Sequence, residues 1–301
     1  DVALEHVGTV ERFICATRDS DAAASRLVLI IDYDLTMSCA DTPECHHMLR
    51  DSNAMPAAFR DDVQVLFAAT HDVWHPEHAV IFGSHDDPDR PHRFWMHYNK
   101  LLVKHGISQA MLDRAVADRA TMSQGTFLRP GVDDLLSFCQ DAGVLVIILS
   151  AGLEQIIRAA CKHDGIELPP CCHVLTNCLR FDEESERCIH VEPTAPPASR
   201  EGKLRLLSSF EATLSKDLVL MIGDKPVDAC VARGLPSLRV PNDSVDEPRS
   251  GSEGTRAELS FGFFNNRPSE PSTVSTNLKD WQAAFSLLAH RGNKCSFAPV
   301  L

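Results

Sequence analysis

No apolar run in this sequence approaches the roughly 18 residues needed to span a bilayer. Basic residues are in the minority, 29 against 42 acidic ones among 301, for a net charge of −13. A nucleic-acid groove is built on a basic footprint, so a polynucleotide partner is not expected. A small anionic substrate stays compatible, provided a metal and local cations neutralise its site. The first 26 residues are mixed polar and charged and carry no apolar core of signal-peptide length. The eleven cysteines are odd in number, and most sit in apolar patterned segments, as Cys139 and Cys161 do. They read as reduced thiols rather than a disulfide framework. There is no internal repeat. The expectation is a soluble, cytoplasmic chain without membrane contact. Its 44% apolar and 24% charged residues are enough to bury a core, and its length admits a core domain plus an insertion.

What is present are three short, purely apolar runs: Leu27 to Ile31, Val144 to Leu149 and Leu218 to Ile222. Runs of β-branched residues and leucine without polar alternation read as buried central strands of a parallel sheet. Helical patterns lie between and after them: Val132 to Asp141, which follows Arg129-Pro130-Gly131 and stops before Gly143, then Leu153 to Lys162 and Lys203 to Leu214. The alternation predicts an α/β fold, a doubly wound parallel-sheet (Rossmann-like) core. Residues 46–122 break the alternation. They hold helical stretches (Ala57 to Ala69, Arg93 to Lys104, Gln109 to Ala120) and a His-, Pro- and Asp-rich connector from His75 to His92. The predicted organisation is a core of 1–45 and 123–301 with a mainly helical cap of 46–122 inserted above the strand ends, where open α/β sheets bind ligands. Asn242 to Glu258 reads as a surface loop.

Each apolar run ends in polar residues. The first gives Asp32-Tyr33-Asp34-Leu35-Thr36, two carboxylates that can divide labour between attack on phosphorus and handling of the leaving-group proton; an Asp-rich strand-end turn has the same composition. The second gives Ser150-Ala151-Gly152, a hydroxyl and a glycine at a helix start that can hold phosphate oxygens or simply cap the helix. The third gives Gly223-Asp224-Lys225-Pro226-Val227-Asp228, whose Asp224 and Asp228 suit hard oxygen ligation of Mg2+, although Asp228 also fits a helix N-terminus. Two unit charges about 4 Å apart repel by roughly 4 kcal/mol at a surface-like dielectric. Carboxylates gathered against a phosphate dianion therefore demand a divalent cation, and Mg2+ is the expected cofactor, with Asp32, Asp34, Asp224 and Asp228 as its expected surroundings.

This set resembles the haloacid dehalogenase (HAD) superfamily, whose first motif is D-x-D-x-T/V, here Asp32, Asp34 and Thr36. Within it the sequence is similar to the cytosolic pyrimidine 5′-nucleotidases, the branch that includes 7-methylguanosine-phosphate nucleotidases. The likeness runs through Asp32 to Ser38, Glu44-Cys45-His46-His47, Leu149 to Leu153, Asn177 to Glu183, Gly223-Asp224 and Gly262 to Asn265. It covers about residues 27 to 290. The resemblance implies a hydrolase of nucleoside 5′-monophosphates with a helical cap. By it, Asp32 forms the aspartyl-phosphate, Asp34 protonates the leaving oxygen, Asp224 binds Mg2+, Asp228 supports the metal, and Ser150 with Ala151 contacts phosphate. The family lysine falls at Ser199, so Lys203 is the expected replacement cation, with Arg200, adjacent to Ser199, as the second candidate. A family glutamate that contacts the base matches Glu77 best, and a cap serine falls near Tyr98.

Trp74, Phe94 and Trp95 are available to stack a base, and equally to form a small cap core. Cys45, His46 and His47 have no second pair at ligand spacing, so zinc is not expected there. Two other readings stay open. One is a phosphatase for another small phosphomonoester such as phosphoserine. The other is a catalytically lapsed nucleotide-binding protein.

Overall fold

The computed structural model describes residues 27–39, 41–71, 90–122, 126–193, 197, 200–210, 214, 218–225, 228, 231, 257–264 and 287–290. Among these described residues seven strands form one sheet: β1 (Leu27–Ile31), β2 (Leu145–Leu153), β3 (Cys172–Phe181), β4 (Cys188–Glu192), β5 (Leu218–Gly223), β6 (Ala257–Phe264) and β7 (Leu287–His290), in the order β4-β3-β2-β1-β5-β6-β7. All neighbours are parallel except β3 and β4. That pair is antiparallel because the link between them is a tight turn, in which Asp182 Oδ1 accepts from the Ser185 amide and hydroxyl. A parallel return would need a long crossover.

β1 is buried along its whole length, as its unbroken apolar sequence requires of a strand with neighbours on both sides and layers on both faces. Register decides where the chemistry can sit. Ile31 pairs with Ile148 of β2 and with Ile222 of β5, so the residues that follow these three emerge together at one edge. The chain builds outward from β1 to β2 and β3 on one side, and then to β5, β6 and β7 on the other. The β1 tip therefore lies at the switch point of the sheet.

Between β1 and β2 run α1 (Cys45–Asp51), α2 (Ala57–His71), α3 (Arg90–Lys104), α4 (Gln109–Met122) and α5 (Val132–Asp141). Phe59, Tyr98, Leu102 and Leu112 of this segment belong to the same apolar cluster as Leu29, Ile31 and Ile148 of the sheet. The Cys188 amide donates to Ile107 O at 2.9 Å, tying the helices to β4. After β2 come α6 (Glu154–His163), which buries Ile156, Ile157, Ala160 and Cys161 as one stripe, and, beyond β4, α7 (Arg200–Leu207). The helix expected over Lys203 to Leu214 begins three residues earlier and passes into a short turn at Ser208–Phe210; residues 211–213 lie outside the described residues. β2 also runs on through Ser150, Ala151 and Gly152, which are thus extended backbone rather than a helix start. No helix among the described residues is long and apolar enough to cross a membrane. Of the expected surface loop, residues 242–256 lie outside the described residues, and Ala257 and Glu258 open β6.

The chain leaves β1 through a turn that places Leu35 at φ 61, the left-handed region that costs a residue with a Cβ. The turn is held from outside. The Leu35 amide donates to Ser38 Oγ at 2.7 Å, and the buried Arg129 guanidinium donates to Leu35 O at 2.7 Å and Thr36 O at 2.8 Å. Arg129→Met strands those carbonyls and is expected to lower unfolding free energy by about 3 kcal/mol, read as a lower urea midpoint; an unchanged midpoint contradicts this role.

Among α1, α2 and α3, His46 packs with Phe67, Phe94 and Trp95 at ring distances of 5.4, 5.6 and 5.4 Å. Its Nδ1 is buried without a hydrogen-bond partner among the described residues, and burial pushes its pKa down to about 3. Between pH 6.5 and that value the unfolded chain takes up a proton that the folded chain refuses, so stability is complete above pH 6.5 and falls below it. From pH 7.5 to 5 this histidine is expected to remove about 2 kcal/mol, measured as the difference between wild type and His46→Phe in urea unfolding at each pH.

Candidate active site

The three strand tips converge. Asp32 follows β1 and its amide donates to Ile222 O of β5 at 2.9 Å. Carboxylate oxygens of Asp32, Asp224 and Asp228 lie within 4.8 Å of one another, and all three residues are buried. Lys203 of α7 reaches into this group. Its Nζ donates to Asp32 Oδ1 at 3.0 Å and to Asp228 Oδ1 at 2.5 Å. Asp228 closes a turn by accepting the Lys225 amide on Oδ2 at 3.1 Å. Both of its oxygens are therefore engaged, and it works chiefly as the anchor for Lys203. Asp224 Oδ1, by contrast, is buried with no hydrogen-bond partner among the described residues.

The electrostatics follow from this crowding. Burial raises Asp32 to about 6; Lys203 opposes the rise and Asp228 adds to it. Burial likewise raises Asp224 well above the carboxylate range, against Lys225 and with help from Asp32 and Asp228. Burial by itself would lower Lys203, but Asp228 and Asp32 outweigh it and hold the ammonium charged. A site that penalises its own carboxylates and leaves one oxygen unpartnered fits a divalent cation, which would reverse those penalties.

Asp34 lies apart from the three-carboxylate group. Its Oδ1 accepts from the Cys45 amide at 3.2 Å and the Cys45 thiol at 3.4 Å. Burial, then Glu44 and Asp32, raise its pKa to about 7. Burial also pushes the Cys45 thiol well up, so it stays protonated. On β2, Ser150 Oγ accepts the Gly152 amide at 3.0 Å. Thr176 and Asn177 of β3 donate to Gly152 O at 2.6 and 3.1 Å, and Asn177 also donates to Ala151 O at 2.6 Å, so β3 braces the strand tip. Glu44 lies 3.7 Å from Lys225 Nζ across the edge.

Of the residues expected from sequence, Asp32, Asp224, Asp228 and Lys203 come together, and Asp34, Ser150, Ala151 and Gly152 border them. Arg200 belongs to α7, but its side chain, like Ser199, Glu77 and Trp74, lies outside the described residues. Phe94 and Trp95 are buried in the helical insertion, where Phe67, His46 and Tyr98 cover them. They form its core rather than an open stacking face. Sequence reasoning assigned no role to Cys45, Asn177, Glu44 or Lys225. Cys45, Glu44 and Asn177 stood within the family-like runs, which was the available signal.

The family model described as pyrimidine 5′-nucleotidase (UMPH-1) matches residues 34–241. The chain belongs to the pyrimidine 5′-nucleotidase family. It is 22% identical over 238 residues to the Caenorhabditis elegans protein named "Putative cytosolic 5'-nucleotidase 3", covering 74% of this chain and 61% of that one. It is 28% identical over 115 residues to human phosphoserine phosphatase, covering 38% of this chain and 49% of that one. The chain thus spans less than two thirds of the length of these curated relatives. In fold, this nucleotidase-family chain is similar to the crystal structure of cytosolic 5′-nucleotidase IIIB bound to cytidine. That likeness has a TM-score of 0.65 at 16% identity and covers 92% of this chain and 83% of that one, which confirms the Rossmann-like core.

Gly223 is a packing requirement of the site. A Cβ there would lie 2.5 Å from Asp228 Cβ and Oδ2. Gly223→Ala is expected to displace Asp228 and with it Lys203, costing about 1–3 kcal/mol in urea unfolding. A variant as stable as wild type contradicts that placement.

Proposed function

We propose that this chain is a magnesium-dependent 5′-nucleotidase that hydrolyses nucleoside 5′-monophosphates, of pyrimidine or 7-methylguanosine type, to nucleoside and phosphate. The observation that carries the reading is the buried Lys203 held between Asp32 and Asp228 beside the unpartnered Asp224 oxygen.

Asp32 is the nucleophile. A carboxylate oxygen bonds to phosphorus, the bond from phosphorus to the 5′-oxygen breaks, and that oxygen takes the proton of Asp34. Asp34, now a carboxylate, then withdraws a proton from water. The water oxygen attacks the aspartyl-phosphate, and cleavage of its phosphorus–oxygen bond restores Asp32. A carboxyl group with a pKa near 7 suits both halves of this cycle. Lys203 orients Asp32 and offsets its charge. Ser150, Ala151 and Gly152 border the phosphate oxygens. Asp32 and Asp224, with Asp228 behind them, would hold Mg2+, which when bound supplies the positive charge that lets a phosphate dianion approach them.

Residues 46–122 act as the cap over a core of 1–45 and 123–301. Glu77 is the proposed base contact and Arg200 a further phosphate cation. The site of action is the cytosol, in keeping with the name of the nematode relative. The partner is the nucleoside monophosphate. The shared stretch with phosphoserine phosphatase favours one alternative, a phosphatase for another small phosphomonoester. Phosphate release from cytidine, uridine and 7-methylguanosine monophosphates against phosphoserine decides between them, and no preference for the nucleotides contradicts the first. A lapsed enzyme is disfavoured by Lys203, which supplies the cation that the family alignment leaves missing.

Asp32→Asn is expected to cut Mg2+-dependent phosphate release by more than about a thousandfold, and Lys203→Met by about a hundredfold, in protein shown by circular dichroism to be folded. Activity retained in Asp32→Asn sinks the mechanism.

A further inference from the structure

Asp34 needs a fixed orientation if it is to give up its proton to the leaving oxygen. A carboxyl group that rotates freely presents the wrong oxygen half the time. The two oxygens of Asp34 have different surroundings. Oδ1 faces Cys45, whose amide and thiol both donate to it, at 3.2 and 3.4 Å. Oδ2 faces the β2 tip. A Cβ placed on Gly152 would meet Cys45 Sγ at 2.7 Å, Ser150 Oγ at 3.3 Å and Asp34 Oδ2 at 3.5 Å. The absent side chain of Gly152 therefore makes the room in which the thiol, the Ser150 hydroxyl and the second carboxyl oxygen meet. Cys45 is fully buried, so its thiol cannot swing to solvent.

We propose that Cys45 is a positioning residue for the proton donor, its amide and thiol holding Asp34 Oδ1 so that Oδ2 faces the substrate. Two donors on Oδ1 make it the accepting oxygen of the acid and leave the transferable proton on Oδ2. The thiol is a weak donor, but it is paired with a backbone amide whose place is set by α1, and together they define one rotamer. This inference deepens the nucleotidase reading and rests on the role of Asp34 in it.

The test uses leaving groups of different basicity with the full chain and Mg2+. Cytidine monophosphate releases an alkoxide that needs the proton; p-nitrophenyl phosphate releases a phenolate that does not. Cys45→Ala keeps the amide and loses the thiol. It is expected to lower the single-turnover rate of cytidine release from cytidine monophosphate about tenfold, a part of the ~10²–10⁴ that general acid catalysis contributes, with KM nearly unchanged. Its rate of p-nitrophenol release in a single turnover, which reads the first step alone, stays within about twofold of wild type, because that leaving group needs no proton. Cys45→Ser, which restores a donor, recovers most of the lost activity. The S–H stretching band, assigned by its loss in Cys45→Ala, moves to higher frequency in Asp34→Ala. Equal losses of the single-turnover rate on both substrates, no loss on either, or an S–H band indifferent to Asp34 overturns the positioning role while leaving the nucleotidase reading intact. A wild-type chain that releases no phosphate from any nucleotide overturns both.

Discussion

Everything at the β1 tip depends on how several buried carboxylates tolerate one another. Asp32, Asp224 and Asp228 are closer together than water alone would make comfortable, and the Lys203 ammonium between two of them is the compensation that the chain itself provides. Breaking such a group by removing one partner is costly because it leaves an uncompensated buried charge. Lys225 also opposes the rise of Asp224 but is shared with Glu44, so the two lysines do not balance the carboxylates, and the Asp224 oxygen without a partner among the described residues marks where the remaining deficit lies. The site is thus short of positive charge, and burial, the largest cause of its raised carboxylate pKa values, makes that shortage costly.

The fold serves this arrangement by register. Ile31, Ile148 and Ile222 lie level across three strands, so a short polar sequence after each run is enough to bring distant parts of the chain together. Gly223 and Gly152 then let Asp228 and Cys45 approach more closely than any side chain would permit. The strained turn at Leu35, held by Arg129, sets Asp34 against Cys45 beside the three-carboxylate group.

Much of this was legible in the amino-acid order. The purely apolar runs identified β1, β2 and β5 because a strand buried on both faces has no polar alternation to confuse it. The polar residues after those runs identified Asp32, Asp34, Asp224 and Asp228. Lys203 was also expected, since a compensating cation was needed and helical spacing placed it near the family position. What was not legible depended on tertiary contact. That Ser150 to Gly152 continue a strand follows from bracing by Thr176 and Asn177, which no local propensity encodes. That Cys45 binds Asp34 rather than joining His46 follows from α1 packing against the β1 turn. The start of α7 and the β3–β4 hairpin were missed because helix ends and short turns carry weak sequence signals.

The most direct test of the charge imbalance is calorimetric titration of Mg2+ into the wild-type chain and into Asp224→Asn. One Mg2+ per chain is expected in the wild type, and loss of that binding in the variant. Mg2+ binding of equal strength in both, or none in the wild type, would contradict it.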